Sequence, residues 1–199
     1  MRRATVAGAA VLGYLIGTFP TADLVAERAS AGTIDLRRAG SGNPGGANAL
    51  KMLGRRAGYT VMAGDIAKGA LASAAGAMVA GPIGAHVGGS ASVIGHCFPV
   101  WNGFRGGKGV AASVGQCLAT FPAYFPIDLG LAAITAASPR LRQRALTVTL
   151  SSSAAWVVGG FVWWRKGWPN LWGPKPGPGL PLAAAVSSSV IAHKFLAAK

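Results

Sequence analysis

Gly95-His96-Cys97-Phe98-Pro99-Val100-Trp101-Asn102-Gly103-Phe104-Arg105-Gly106-Gly107-Lys108-Gly109-Val110 joins two apolar segments of the chain. The stretch holds one His, one Arg, one Lys and five glycines. Glycine lets the backbone turn through positive φ and come close to a ligand. Consecutive N–H groups in such a turn form an anion-binding concavity, and Lys108 adds a point charge inside it. The natural guest is a phosphate. The stretch is not a Walker A loop. The first motif glycine would fall at Asn102, and Gly109 follows Lys108 where that motif needs Ser or Thr.

Outward from this loop the chain is apolar. It has 199 residues, of which 51% are hydrophobic and 12% charged, whereas a soluble domain carries about 25% charged residues. Thirty glycines are present, many inside apolar runs, and glycine in membrane helices permits close packing. These features predict an all-α polytopic membrane protein: one integral membrane domain over residues 1–199 with about seven transmembrane helices. The segments are Ala4–Ala26, with Gly13 and Gly17 as a small-xxx-small pair, then Tyr59–Ala80, Ile83–Trp101, two short pieces within Val110–Ala137 divided near Pro122 and Pro126, Ala145–Trp164, and Leu180–Leu196. Met1-Arg2-Arg3 resembles the start of a signal peptide. The apolar run continues to Phe19 without a clear cleavage site, so it reads as a retained membrane segment.

Nineteen basic residues stand against five acidic ones. Such an excess suits nucleic acid, anionic lipid or acidic substrates, but the apolar segments leave no soluble face for nucleic acid. Under the positive-inside rule the N-terminus is expected outside and the C-terminus inside. The inside regions are then 27–57, 102–109, the basic loop Pro139–Arg144 and the C-terminal tail, and both glycine-rich loops face the cytoplasm. Cys97 and Cys117 belong to no Cys-x-x-Cys or Cys/His cluster, so no disulfide, metal or cofactor is expected.

A second glycine-rich loop, Gly40-Ser41-Gly42-Asn43-Pro44-Gly45-Gly46-Ala47-Asn48, offers hydroxyl and amide groups, with Lys51, Arg55 and Arg56 following at roughly helical spacing. Read by itself it is either another phosphate cradle or a solvated turn before a helix with Asn48 as cap. Asp65 and Lys68 lie three apart within one span and can pair on one helix face. Intramembrane charges are functional or form a structural pair. His86 lies mid-segment near glycines and reads as structural.

The two loops together resemble the acyl-phosphate-dependent glycerol-3-phosphate acyltransferases of bacterial membranes. That family carries Gly-Ser-Gly-Asn-x-Gly-Ala-Thr-Asn-x-x-Arg in one loop. In the next it carries Gly-His-x-Phe-Pro, four residues, and Phe-Lys-Gly-Gly-Lys-Gly-Val-Ala-Thr. Residues 40–51 and 95–112 line up with these without a gap. Gly17-Thr18-Phe19-Pro20 is similar to the family's Gly-Ser-Ile-Pro, and Asp65-Ile66-Ala67-Lys68-Gly69 to its Asp-Ile-x-Lys-Gly. The chain departs at Gly46, Ala47, Lys51, Arg105 and Ala112, where the family has Ala, Thr, Arg, Lys and Thr. It lacks the family's Arg-Tyr-x-Ser-Leu-x-Ser stretch, and of the terminal His-x-x-Asn-x-x-Arg motif only His193 remains.

The resemblance implies a multi-pass enzyme of the bacterial inner membrane in phospholipid synthesis. It transfers an acyl group from acyl phosphate to the 1-hydroxyl of glycerol 3-phosphate, giving lysophosphatidic acid and phosphate. Its partners are those two substrates and membrane lipid. The catalytic candidates are His96, Lys108, Ser41 and Asn43. The phosphate-binding candidates are Gly40, Gly42, Asn48, Lys51, Arg105, Gly106, Gly107, Gly109 and His193. His96 is the base nearest the second loop, though a structural histidine bonded across helices fits the same position. A substrate phosphate oxygen is the alternative acceptor of the hydroxyl proton. Two further classes fit the loops: a catalytically altered paralogue binding phosphate or anionic lipid, and a small organic-phosphate transporter. The last usually shows internal repeats, and none is visible.

Overall fold

The computed structural model describes residues 2–137 and 144–197. Of the expected basic loop Pro139–Arg144, all but Arg144 lies outside them, as does Lys199. Among the described residues the regular structure is entirely helical: α1 (Arg2–Gly17), α2 (Thr21–Ser30), α3 (Gly46–Leu53), α4 (Arg55–Cys97), α5 (Val110–Thr120), α6 (Phe125–Ala137), α7 (Arg144–Lys166) and α8 (Gly179–Leu196), with a 3-10 turn at Val100–Asn102.

The first apolar segment is broken where a continuous one was expected. Pro20 has no N–H to continue the α1 ladder, and α2 restarts at Thr21. α4 is a hairpin: Ala80 (φ −139°) and Gly81 (φ 62°) leave helical geometry just before Pro82, and a left-handed turn at Gly81 is open to glycine at no steric cost. Pro126 falls in the first turn of α6, where a missing N–H is harmless, so the division of Val110–Ala137 matches the expectation. α1, the two arms of α4, and α5 to α8 thus account for the seven apolar segments. By length and composition, Arg3–Ser30, Arg55–Asn102, Ala145–Lys166 and Gly179–Leu196 can cross a membrane.

Small residues let these helices approach closely. A Cβ at Gly69 would run into the Ala112 carbonyl of α5, and one at Gly115 into the Ile66 carbonyl of α4. Gly13 and Gly17 meet Gly88 and Ser92 of the second arm in the same way. Such contacts replace the hydrophobic drive that lipid does not supply. Large apolar side chains such as Val11, Leu71, Met78, Ile134, Val158 and Leu182 remain exposed, as a lipid-facing surface requires. Inside, Gln116 of α5 donates to Ser90 Oγ (3.1 Å) and accepts from Ser187 Oγ (2.7 Å), joining α4, α5 and α8. Bonds of this kind contribute about 0.6 kcal/mol each on average in membranes.

The bundle has two different ends. At one, the Ala80–Gly81 turn sits beside the α7–α8 connection, where Trp172 Nε1 donates to the Leu118 carbonyl (2.9 Å) and Asn170 Nδ2 to that of Thr120 (3.0 Å). Phe121 stacks on Tyr124 and meets Trp163 edge-on there. Both glycine-rich loops and the C-terminus of α8 gather at the other end.

Candidate active site

The first loop is anchored by Leu36, which is fully buried against Ala22, Ala26, Ala49 and Val61. Gly40 and Gly42 then turn through φ of 62° and 69°. Asn48, in the first turn of α3, holds that turn. Its Oδ1 accepts from the Ser41 N–H (3.0 Å), and its Nδ2 donates to the carbonyls of Leu36 (3.0 Å) and Ala39 (2.9 Å). All of the amide is used inside the loop, so Asn48 is neither a helix cap nor a ligand for phosphate. A side chain at Gly40 would strike the Asn48 amide. The result is that Ser41, Gly42 and Asn43 border the cleft between the loops.

The second loop closes back on the end of α4. The Gly106 N–H donates to the Cys97 carbonyl and the Gly107 N–H to that of His96, both at 3.1 Å. These two amides therefore do not face an anion, contrary to the expected N–H cradle. Gly109 (φ 87°) starts α5 over the Cys97 sulfur and does not line the cleft. Phe104 takes a left-handed φ of 62° at the cleft edge.

His96 lies under this loop, buried, with Nε2 against the Cα of Gly107 and Nδ1 3.6 Å from Asp65 Oδ1. Lys68 Nζ is 2.9 Å from the same carboxylate and donates to the Phe19 carbonyl at 3.1 Å. The pair foreseen at positions 65 and 68 is thus present, and it forms a charged floor with His96. His96 does not border the main cleft; it lines a smaller pocket beside it that shares Arg37, Pro44, Asn102 and Gly106 with the cleft. His193 does border the main cleft, from α8.

Two residues that the sequence reading did not single out as functional tie the loops together. The Arg37 guanidinium makes a bidentate pair with Asp23 of α2, and its Nε donates to the Arg105 carbonyl (2.9 Å). Asn102 Nδ2 donates to Asp23 Oδ2 (2.8 Å). The available signal was a cluster: Asp23, Glu27 and Asp35, three of the chain's five acidic residues, lie among Arg28, Arg37 and Arg38.

The cleft holds about 810 Å³. Arg37, Arg38, Arg105, Lys108 and Lys194 border it, and Asp35 is the one bordering carboxylate among the described residues. Ser41, Gly42, Asn43, Arg105, Gly106, Lys108 and His193 are therefore brought together. Gly40, Asn48, Gly107 and Gly109 serve behind the cleft. Lys51 is exposed on α3 and does not border it, because the inward face of α3 is occupied by Gly46, Asn48 and Ala49. Among the described residues no group of His, Cys, Asp and Glu could hold a metal.

A family model described as glycerol-3-phosphate acyltransferase matches residues 7–195. A protein of that name from Exiguobacterium sibiricum is 42% identical over 124 residues, which span 62% of this chain and 59% of that protein. One from Rubrobacter xylanophilus is 39% identical over 155 residues, 75% of each. The crystal structure of PlsY, an integral membrane glycerol 3-phosphate acyltransferase, in its glycerol 3-phosphate form is similar with a TM-score of 0.75 at 25% identity, covering 96% of this chain and 88% of that one. Its lysophosphatidic acid form gives 0.73.

Proposed function

Because this chain belongs to the glycerol-3-phosphate acyltransferase family, we propose that it transfers an acyl group from acyl phosphate to the 1-hydroxyl of glycerol 3-phosphate. The products are lysophosphatidic acid and phosphate. The observation that carries this reading is the cleft between the two loops, bordered by five cationic side chains, of which Arg37 pairs with Asp23 and Arg38 with Asp35 while Arg105, Lys108 and Lys194 have no carboxylate partner among the described residues. Both substrates carry a phosphate, and both phosphates need cations.

The glycerol hydroxyl attacks the acyl carbon. A C–O bond forms, the bond from that carbon to the phosphate oxygen breaks, and the electron pair leaves on phosphate. Lys108 and Arg105 stabilise the charge that develops there, which is the kind of fixed electrostatic support that lowers such barriers. Ser41 and Asn43 bind and orient the acceptor. His193 is the imidazole that opens into the cleft, and it takes the hydroxyl proton. Acyl phosphate is already activated, so transfer is direct and needs no acyl-enzyme. The whole of residues 1–199 acts as one integral membrane domain of the bacterial inner membrane. Its N-terminus is outside and its loop end is cytoplasmic.

Purified protein given palmitoyl phosphate and glycerol 3-phosphate is expected to release lysophosphatidic acid and phosphate. Phosphate binding without product would instead indicate a paralogue that only binds. For topology, a single cysteine at Glu27 should resist impermeant labelling in intact cells while one at Lys175 reacts, both positions being exposed. The reverse pattern would invert the topology.

A further inference from the structure

Lys194 has no part in the chemistry assigned above, yet it stands in the cleft. Its Nζ lies over the Phe98 ring, 5.1 Å from the centroid. Lys108 mirrors it: its Nζ lies over Phe195 of α8, 4.1 Å from that centroid. One lysine comes from the loop and rests on the helix; the other comes from the helix and rests on the loop. Neither pairs with a carboxylate among the described residues. Both lysines border the same cleft. Two half-buried cations resting on aromatic faces in one cleft make a place for a shared anion, which gains charge-assisted bonds from both sides.

The position of the pair indicates which anion. A groove of about 230 Å³, mainly apolar, runs between α5, α6, α7 and α8, with Val110, Val114, Cys117, Trp156 and Ile191 among its walls. Val110 is two residues from Lys108, and Ile191 three from Lys194. A donor whose chain enters that groove brings its phosphate to the two lysines. Ser41 and Asn43 lie on the other loop, with the acceptor. We propose that Lys194 is a second phosphate-binding residue, which with Lys108 grips the phosphate of the acyl donor at the α5–α8 edge of the cleft. The donor's identity rests on the acyltransferase reading; the anion site itself does not.

Lys194→Met keeps the aliphatic stem on Phe98 and removes only the charge. It should raise KM for palmitoyl phosphate, and weaken product inhibition by inorganic phosphate, each about tenfold or more. KM for glycerol 3-phosphate should move less than about twofold, since the acceptor binds at the other loop. Lys194→Arg, which keeps the charge and stacks on aromatic faces, should restore most of the loss. An unchanged donor KM with unchanged phosphate inhibition overturns the proposal, as does a rise confined to glycerol 3-phosphate. If the wild-type protein transfers nothing, the acyltransferase reading falls separately. Titration of inorganic phosphate into wild type and Lys194→Met then decides the anion site: weaker binding in the variant supports it, and equal affinity ends it.

Discussion

The two glycine-rich loops look alike as sequence and are held in different ways. The loop at Gly40–Asn43 is tied from within by one neutral side chain, Asn48, through three hydrogen bonds to backbone. The loop at 103–109 is tied from below: its amides close on the end of α4, and under it lie Asp65, Lys68 and His96. The glycines share one task and divide on another. Gly40 and Gly42, like Gly103 and Gly109, permit positive φ. Gly106 and Gly107 permit close approach, since a Cβ would strike the His96 carbonyl in one case and the His96 ring in the other. A glycine run beside a lysine therefore need not be an amide cradle. Here it brings the backbone down onto a histidine and leaves the cations facing the cleft.

The strongest way to break the comparison is to remove the charged floor from the second loop only. Asp65→Asn leaves Lys68 buried without its counter-charge, and breaking a buried pair by deleting one partner costs about 3–5 kcal/mol. The expected result is a marked fall in the thermal midpoint of the detergent-purified protein, with poor expression. An unchanged midpoint would mean that the floor does not support the loop. The next largest effect is on function. Lys108→Ala should lower acyl-donor affinity about ten- to hundredfold at an unaltered thermal midpoint, and kcat/KM should fall at least as much. Lys108→Arg should rescue only in part, because a planar head fits poorly between Gly107 and Gly109. Equal kinetics for Lys108→Ala and wild type would remove the central cation from the mechanism.

Much of the fold could be read from composition and spacing. The seven apolar segments, the Gly81-Pro82 turn and the division near Pro122 and Pro126 follow from hydropathy and from backbone chemistry that acts locally. The break at Thr18–Pro20 was less legible, since an apolar run gives no sign that a helix restarts after one proline. For the site, residue types were legible and directions were not. Ser41, Asn43, Arg105, Lys108 and His193 reach one cleft, but whether His96 or His193 faces it depends on contacts between segments about a hundred residues apart. The Asp23–Arg37 pair is long-range in the same sense: 14 residues separate its members, and its purpose is visible only once Arg105 and Asn102 are alongside.

A smaller effect sharpens the account of the first loop. Asn48→Ala leaves the Ser41 N–H and two loop carbonyls without their partner, a loss of about 1–3 kcal/mol. Because the loop is tied locally, that loss should appear first as a raised KM for glycerol 3-phosphate, with donor KM nearly unchanged. Equal rises in both would show that the two loops move as one body, which the Arg37 link to the Arg105 carbonyl makes the reasonable competitor.

The smallest effect is expected at Lys51. Motif spacing marks it as a phosphate ligand, standing where the related family has Arg. α3 turns Gly46, Asn48 and Ala49 inward and leaves Lys51 exposed outside the cleft. A charge in that place acts on substrate only through solvent, and at about 0.1 M salt such fields fade over roughly 10 Å. Lys51→Ala should therefore change kcat/KM by less than about twofold near physiological salt, with any difference growing as salt is lowered. Lys51→Arg should gain nothing, since the position is exposed and does not border the cleft. A tenfold loss in Lys51→Ala at physiological salt would mean that α3 rotates when substrate binds. The first loop would then be a moving part, and the contrast between a neutral fixed loop and a charged supported one would have to be redrawn.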